Sequence, residues 1–150
     1  MKIVIQRVRS ASVRVQGAPI ATIGHGLLIL AGVEKPDLPT VADRAASKIA
    51  ALRIFPARAG IDERMDRSVT QVGGEVLVVS QFTLAGSLQS GNRPGFEDAA
   101  PAAQAEPVYL RLVSALRDLG LKVQTGAFGA MMEVELINDG PVTFIMEMRA

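Results

Sequence analysis

A mixed α/β fold, in which a largely antiparallel sheet curls against two helices, is what this sequence predicts. Three observations carry that expectation. Most apolar segments alternate every two residues or run unbroken, as strands do, and only two segments repeat at helical spacing. No helix follows each strand in the rhythm of parallel βαβ units.

Taken in order, Ile3 and Ile5 alternate with Val4, Gln6 and Val8, and Val13 and Val15 alternate with Arg14 and Gln16, which predicts strands. Gly17 and Pro19 mark a turn before a strand at Ile20–Ile23, and Gly24-His25-Gly26 a tight turn before the buried run Leu27–Val33. From Pro39 to Leu52 the period changes: Val41, Ala45, Ile49 and Leu52 share one side of an amphipathic helix, with Asp37 or Thr40 as its cap. A short Ile54-Phe55 segment precedes a polar loop to about Arg67, and Gly73-Gly74 introduces a strand reading EVLVVSQFTL. Ala85–Ala100 reads as a long loop rich in Gly, Ser and Pro, a length more often functional than decorative. Pro101 opens a second helix, with Val108, Leu112, Leu116 and Leu119 on one face and Gly120 at its end. Met132, Val134 and Leu136 form a strand, Asn138-Asp139-Gly140-Pro141 turns the chain, and VTFIMEM closes it, for some seven strands and two helices in all.

With 150 residues, residues 1–150 form one expected domain. At 49% hydrophobic and 21% charged residues the chain belongs with folded, soluble proteins. No apolar stretch reaches the length of a membrane span and MKIVIQRVRS is no signal peptide, so a cytoplasmic protein without membrane partners is expected. The absence of cysteine excludes thiolate chemistry, and a lone histidine, His25, excludes a multi-histidine zinc site. His25, between two glycines, reads as a surface turn residue. The net charge of +1 hides a local excess, since Lys2, Arg7, Arg9 and Arg14 open the chain with no acid among the first sixteen residues. That set is either a phosphate-binding patch or a row of solvated strand arginines.

No dinucleotide or phosphate-loop fingerprint occurs, nor a Gly-x-Ser-x-Gly nucleophile turn, and the pairs Asp62/Glu63 and Glu97/Asp98 read as solvated loop charge. Two segments call for more. At Ser80-Gln81-Phe82-Thr83-Leu84 an apolar strand runs straight into hydroxyl and amide groups, either a place to present donors to a ligand or an ordinary strand end. Asn138–Thr143, NDGPVT, taken alone reads as a hairpin turn.

Together, SQFTL at Ser80–Leu84 and NDGPVT at Asn138–Thr143 resemble the two signature motifs of the D-aminoacyl-tRNA deacylase family. Flanking matches run the length of the chain: IQRVRSASVRV from Ile5, GLLILAGVEK from Gly26, RIF at Arg53–Phe55, GGEVLVV from Gly73, GNRPGF from Gly91 and TGAFGAMMEV from Thr125. The chain departs from the family at Arg58–Ser68, where Asp66 replaces a common asparagine. It also carries no basic residue at Ala127 and no lysine near Ser90, which implies that some of the family's interactions with RNA phosphates are missing or relocated.

The resemblance implies the family's barrel-like sheet, a homodimer, no metal and no cofactor. It implies a hydrolase that cleaves the ester of D-aminoacyl-tRNA at the 3′-terminal aminoacyl-adenosine, admits glycyl-tRNA, and serves as a chiral proofreader in translation. In the family the Gly-Pro pair is a cis peptide, so the carbonyl oxygens of Gly140 and Pro141 would enter the partner subunit's pocket and leave no room for an L side chain. Ser80, Gln81, Phe82 and Thr83 of the other subunit would bind the ester, with N–H groups near Phe82 and Thr83 stabilising the oxyanion. Met132, Ala100 and Arg7 match positions around the pocket; Arg7 is either an anchor for the Gly140-Pro141 loop or a solvated arginine. Thr83 as covalent nucleophile would need an adjacent base that the sequence does not signal, which favours water attack assisted by the ribose 2′-hydroxyl. The competing readings are an RNA-binding module without catalysis, a dimeric scaffold, and a general serine or threonine esterase.

Overall fold

The computed structural model describes residues 1–89 and 91–149, so the departure at Ser90 lies outside the described residues. Strand β1 (Lys2–Val15) is the spine. Its first half pairs antiparallel with β3 (Gly26–Gly32), its second half with β2 (Ala18–Ile23), and β8 (Glu133–Glu147) runs antiparallel along nearly its whole length. Beyond β3 the sheet turns parallel, through β6 (Glu75–Ser80) to β7 (Lys122–Thr125). A separate hairpin joins β4 (Phe55–Arg58) to β5 (Asp62–Arg67).

Both faces of the sheet are covered, which is why Leu27–Ala31 and Val76–Val79 are almost continuously apolar. On one face Ile3, Ile5, Leu27, Ile29, Val76 and Val78 pack beneath helices α1 (Pro39–Ala51) and α2 (Ala102–Asp118). On the other, Val8, Ala11, Val13, Leu28, Leu77 and Val79 form a second core closed by Met132, Val134 and Leu136. Two cores on opposite faces of one curled sheet are the expected mixed α/β architecture.

Several local expectations are corrected. The described residues form eight strands: β5, DERMDR, has no apolar alternation to betray it, and β7 is only four residues long. Asn138–Pro141 is not a hairpin, because the residues on both sides of it pair with β1 in the same direction. Gln6 faces Thr143 and Val8 faces Asn138, so Asp139–Val142 loop out opposite the single residue Arg7. SQFTL is not all strand: β6 stops at Ser80 and Phe82–Ala85 form a 3₁₀ turn. Neither Asp37 nor Thr40 caps α1, whose cap position is Leu38 without a side-chain hydrogen bond. Asp37 instead accepts from the Met1 ammonium at 2.8 Å and from the Glu34 N–H at 2.7 Å.

The basic residues of β1 do not make a common patch. Arg7 is buried, Lys2 lies 3.7 Å from Glu34, Arg9 lies 3.3 Å from Asp139, and Arg14 stands in register with Glu133. His25 is exposed, as expected of a turn residue, its ring set edge-on to Phe55.

Candidate active site

The end of β6 is where the fold brings polar groups to an apolar cavity. Gln81 extends the ladder by one bond, its N–H donating to Ala31 O at 2.8 Å, and the chain then winds into the 3₁₀ turn through Leu84 N–H to Gln81 O at 3.2 Å. Gly32 makes that turn fit: a Cβ there would lie 2.9 Å from both Gln81 O and Leu84 Cβ. As the first residues of the turn, Phe82 and Thr83 have no intrahelical partner for their N–H groups. Neither donates elsewhere among the described residues, so two adjacent donors stay free at the site. The Thr83 hydroxyl accepts from Gln81 Nε2 at 2.5 Å.

These residues line a cavity of about 560 Å³ together with Val33, Val79, Ala100, Ala102, Ala105, Met132, Val134 and the segment Phe128–Met131. Of the expected site residues, Ser80, Gln81, Phe82, Thr83, Ala100 and Met132 meet here. The Met132 side chain reaches in because Gly126 is bare: a Cβ at Gly126 would sit 2.7 Å from its sulfur. Among the described residues not one that lines the cavity carries an ionisable side chain, so they offer an ester dipoles and apolar walls but no general base.

Nothing in the sequence marks Phe128–Met131 as a wall, since a small-residue, apolar loop looks like core. Its position follows from Tyr109 on α2, whose hydroxyl donates to Val78 O at 2.9 Å while Gly126 N–H donates to the same oxygen at 3.0 Å. The Tyr109 and Phe128 rings lie 5.6 Å apart. Burial pushes the Tyr109 phenol up to about 12, so it stays neutral and donates.

Arg7, Gly140 and Pro141 lie apart from this cavity in the same chain. The Gly140–Pro141 bond is cis, and both residues are exposed at the crest of the looped-out segment. Arg7, 7% exposed, fixes the segment from beneath: Nε donates to Asp139 O at 2.9 Å and Nη1 to Ile54 O at 2.7 Å. Asn138 clamps the other side, its Oδ1 accepting from Val142 N–H at 2.7 Å and its Nδ2 donating to Thr143 Oγ1 at 2.9 Å. Arg7 is therefore an anchor rather than a solvated strand arginine.

Comparison with known proteins places these features in context. A family model described as D-Tyr-tRNA(Tyr) deacylase matches residues 4–147. Proteins named D-aminoacyl-tRNA deacylase from Anaeromyxobacter dehalogenans (strain 2CP-C) and Chlorobaculum parvum (strain DSM 263 / NCIMB 8327) are 52% and 53% identical. The matches cover 99% of this chain and 98% of the first relative, and 98% of this chain and 97% of the second. A solved structure described as a c-Myc DNA Unwinding Element Binding Protein is 40% identical, superposes with a TM-score of 0.91 and covers 100% of both chains. A second, described as a probable eukaryotic D-amino acid tRNA deacylase, shares the fold alone, at 14% identity and a TM-score of 0.85 over 97% of each chain.

Proposed function

Since the chain belongs to the D-Tyr-tRNA(Tyr) deacylase family, we propose that it hydrolyses the ester joining a D-amino acid to the 3′-terminal adenosine of tRNA, as a chiral proofreader in the cytoplasm. The observation that carries this reading is the cavity at the end of β6, which among the described residues pairs two unpartnered N–H groups with walls free of any ionisable side chain. Such a site stabilises negative charge on a carbonyl oxygen and moves no proton itself.

The steps follow from that composition. The aminoacyl group lies in the cavity with its carbonyl oxygen toward the N–H groups of Phe82 and Thr83. Water adds to the carbonyl carbon, the bond to the ribose O3′ breaks, and O3′ takes up a proton, giving free amino acid and tRNA. The neighbouring ribose 2′-hydroxyl assists the proton movement, because no lining residue can. Thr83, held by Gln81, positions the ester rather than attacking it. A substrate ending in 2′-deoxyadenosine is then cleaved far more slowly; equal rates on both substrates would exclude the assisted route.

Handedness is set by a second copy of the chain. Gly140 and Pro141 are exposed, anchored and remote from their own chain's cavity, which suits them to the partner's. Strand β8 supports a dimer, since among the described residues only β1 pairs with it and Ile137 and Ile145 stand 57% and 77% exposed. Two main-chain oxygens presented to the substrate's α-carbon exclude an L side chain, accept the hydrogen of a D residue, and let glycine pass. Mixing two variants tests the sharing. Thr83→Ala spoils the cavity, and Gly140→Ala displaces the loop, because a Cβ at Gly140 would lie 2.6 Å from Val142 Cγ2, so that L-tyrosyl-tRNA is cleaved as well. In a mixed dimer the working cavity faces an intact loop, so adding Thr83→Ala protein to Gly140→Ala protein restores the sparing of L-tyrosyl-tRNA. L-tyrosyl-tRNA cleavage that persists undiminished after exchange points to sites confined to one chain.

A further inference from the structure

At the lip of the cavity two aromatic rings face solvent together. Phe82 is 55% exposed and Phe96 38%, with centroids 5.1 Å apart and planes tilted by 56°. Phe82 lines the cavity, whereas Phe96 lies outside it, so the pair carries an aromatic surface outward from the site.

The pair is held in place. Ser87 and Gly95 exchange two backbone hydrogen bonds of 2.8 and 2.9 Å, Phe96 O accepts from Ala99 N–H at 3.1 Å, and Ala100 N–H donates to Val33 O at 3.0 Å. The ring itself rests on Gly86, where a Cβ would meet Phe96 Cε1 at 3.0 Å. The charges nearby are mixed: Arg93 is exposed, but so are Glu97 and Asp98. A ledge of this kind does not grip phosphate by charge; it offers flat, apolar area to a flat, uncharged partner.

A nucleobase is such a partner. If the terminal adenosine occupies the cavity, the unpaired nucleotide before it has to cross this lip. We propose that Phe96, backed by Phe82, is a stacking platform for the base of the nucleotide preceding the terminal adenosine of the tRNA. This rests on the cavity being the aminoacyl-adenosine site. Stacking of this type needs only the flat face of the base and no hydrogen bond to its edge.

The test compares two substrates, D-tyrosyl-tRNA and the D-tyrosyl ester of adenosine alone, on wild-type protein, Phe96→Leu and Phe96→Trp, with sedimentation of each variant. Phe96→Leu is expected to raise KM for the tRNA substrate about tenfold, in line with loss of one base stack, while leaving kcat and adenosine-ester hydrolysis in place; Phe96→Trp keeps wild-type behaviour. Equal losses on both substrates would reduce Phe96 to a prop for Phe82 and overturn the platform. So would an unchanged KM, or a change of oligomeric state that marks Phe96 as a subunit contact. Wild-type protein inert toward both substrates overturns the cavity reading itself, and the platform with it.

Discussion

Arg7 shows how one side chain can settle a question that its place in the sequence leaves open. Its guanidinium spans two carbonyls on separate segments, Asp139 O and Ile54 O, a geometry that a single ammonium on a flexible stem does not reproduce. Arg7→Lys is therefore expected to leave a buried acceptor unpaired and lower stability by about 1–3 kcal/mol in denaturant titrations. It should also weaken the sparing of L-tyrosyl-tRNA while D-tyrosyl-tRNA is still cleaved. A variant of full stability and unchanged selectivity would return Arg7 to the status of an ordinary strand arginine. At the same scale Asp66, the departure from the family's asparagine, pairs with Arg53 on the half-exposed β4–β5 hairpin and lines no part of the cavity. Asp66→Asn is expected to shift stability by less than about 1 kcal/mol and leave hydrolysis as it was.

At the scale of elements, the site depends on two junctions. One is the packing of the 3₁₀ turn on the end of β3, where Gly32 leaves the needed space. Gly32→Ala pushes the turn, and with it the free N–H groups of Phe82 and Thr83, off the sheet. The expected result is a loss in kcat of about a hundredfold, the scale of one misplaced oxyanion donor, in a protein that still folds. Wild-type kcat in that variant would detach the turn from the chemistry. The other junction ties α2 to β6 through Tyr109 and Val78 O. Burial raises the phenol to about 12, above its ordinary value of 10.0, so the folded state holds this proton more tightly than the unfolded chain. The resulting stability is fully present below about pH 10 and is lost as pH rises toward 12. Tyr109→Phe removes this component, so its alkaline unfolding curve should fall less steeply than that of the wild type. Parallel curves would show that the phenol does not sense folding.

Across the whole molecule, the two ends of the chain meet above α1. The Met1 ammonium donates to Glu34 at 2.9 Å, Asp37 at 2.8 Å and Met148 O at 2.7 Å, and Met148 N–H returns a bond of 2.9 Å to Met1 O. Asp37 is buried, so removing its carboxylate takes the more deeply buried of two acidic partners from the Met1 ammonium and leaves Glu34 to hold it. Asp37→Ala is expected to lower stability by about 1–3 kcal/mol, measured by urea unfolding at neutral pH, with kcat of the folded protein unchanged. An unfolding midpoint like that of the wild type would mean that water replaces the carboxylate. Because β1 and β8 form the spine on which the Gly140–Pro141 loop is mounted, this clasp supports the element proposed to reach the partner's cavity.

By itself the sequence determined the period of the major strands, both helices, the mixed α/β class and, through SQFTL and NDGPVT, the family. These are legible because alternation, helical spacing and turn residues act between near neighbours, and because the two motifs are specific wherever they stand. Only tertiary structure decided what those segments become. NDGPVT reads locally as a hairpin and is instead a loop bulging from one long strand, because both of its flanks find the same partner, β1. The Lys2, Arg7, Arg9 and Arg14 set reads equally as a basic patch or as solvated strand arginines until acids from distant segments pair with Lys2 and Arg9 and burial takes Arg7. The wall Phe128–Met131 and the ledge at Phe96 lie in segments that match the family, but neither carries a periodicity that says what it lines. Their places are fixed by packing against Tyr109 on α2 and against Gly86, and interactions between residues remote in sequence leave no periodicity to read.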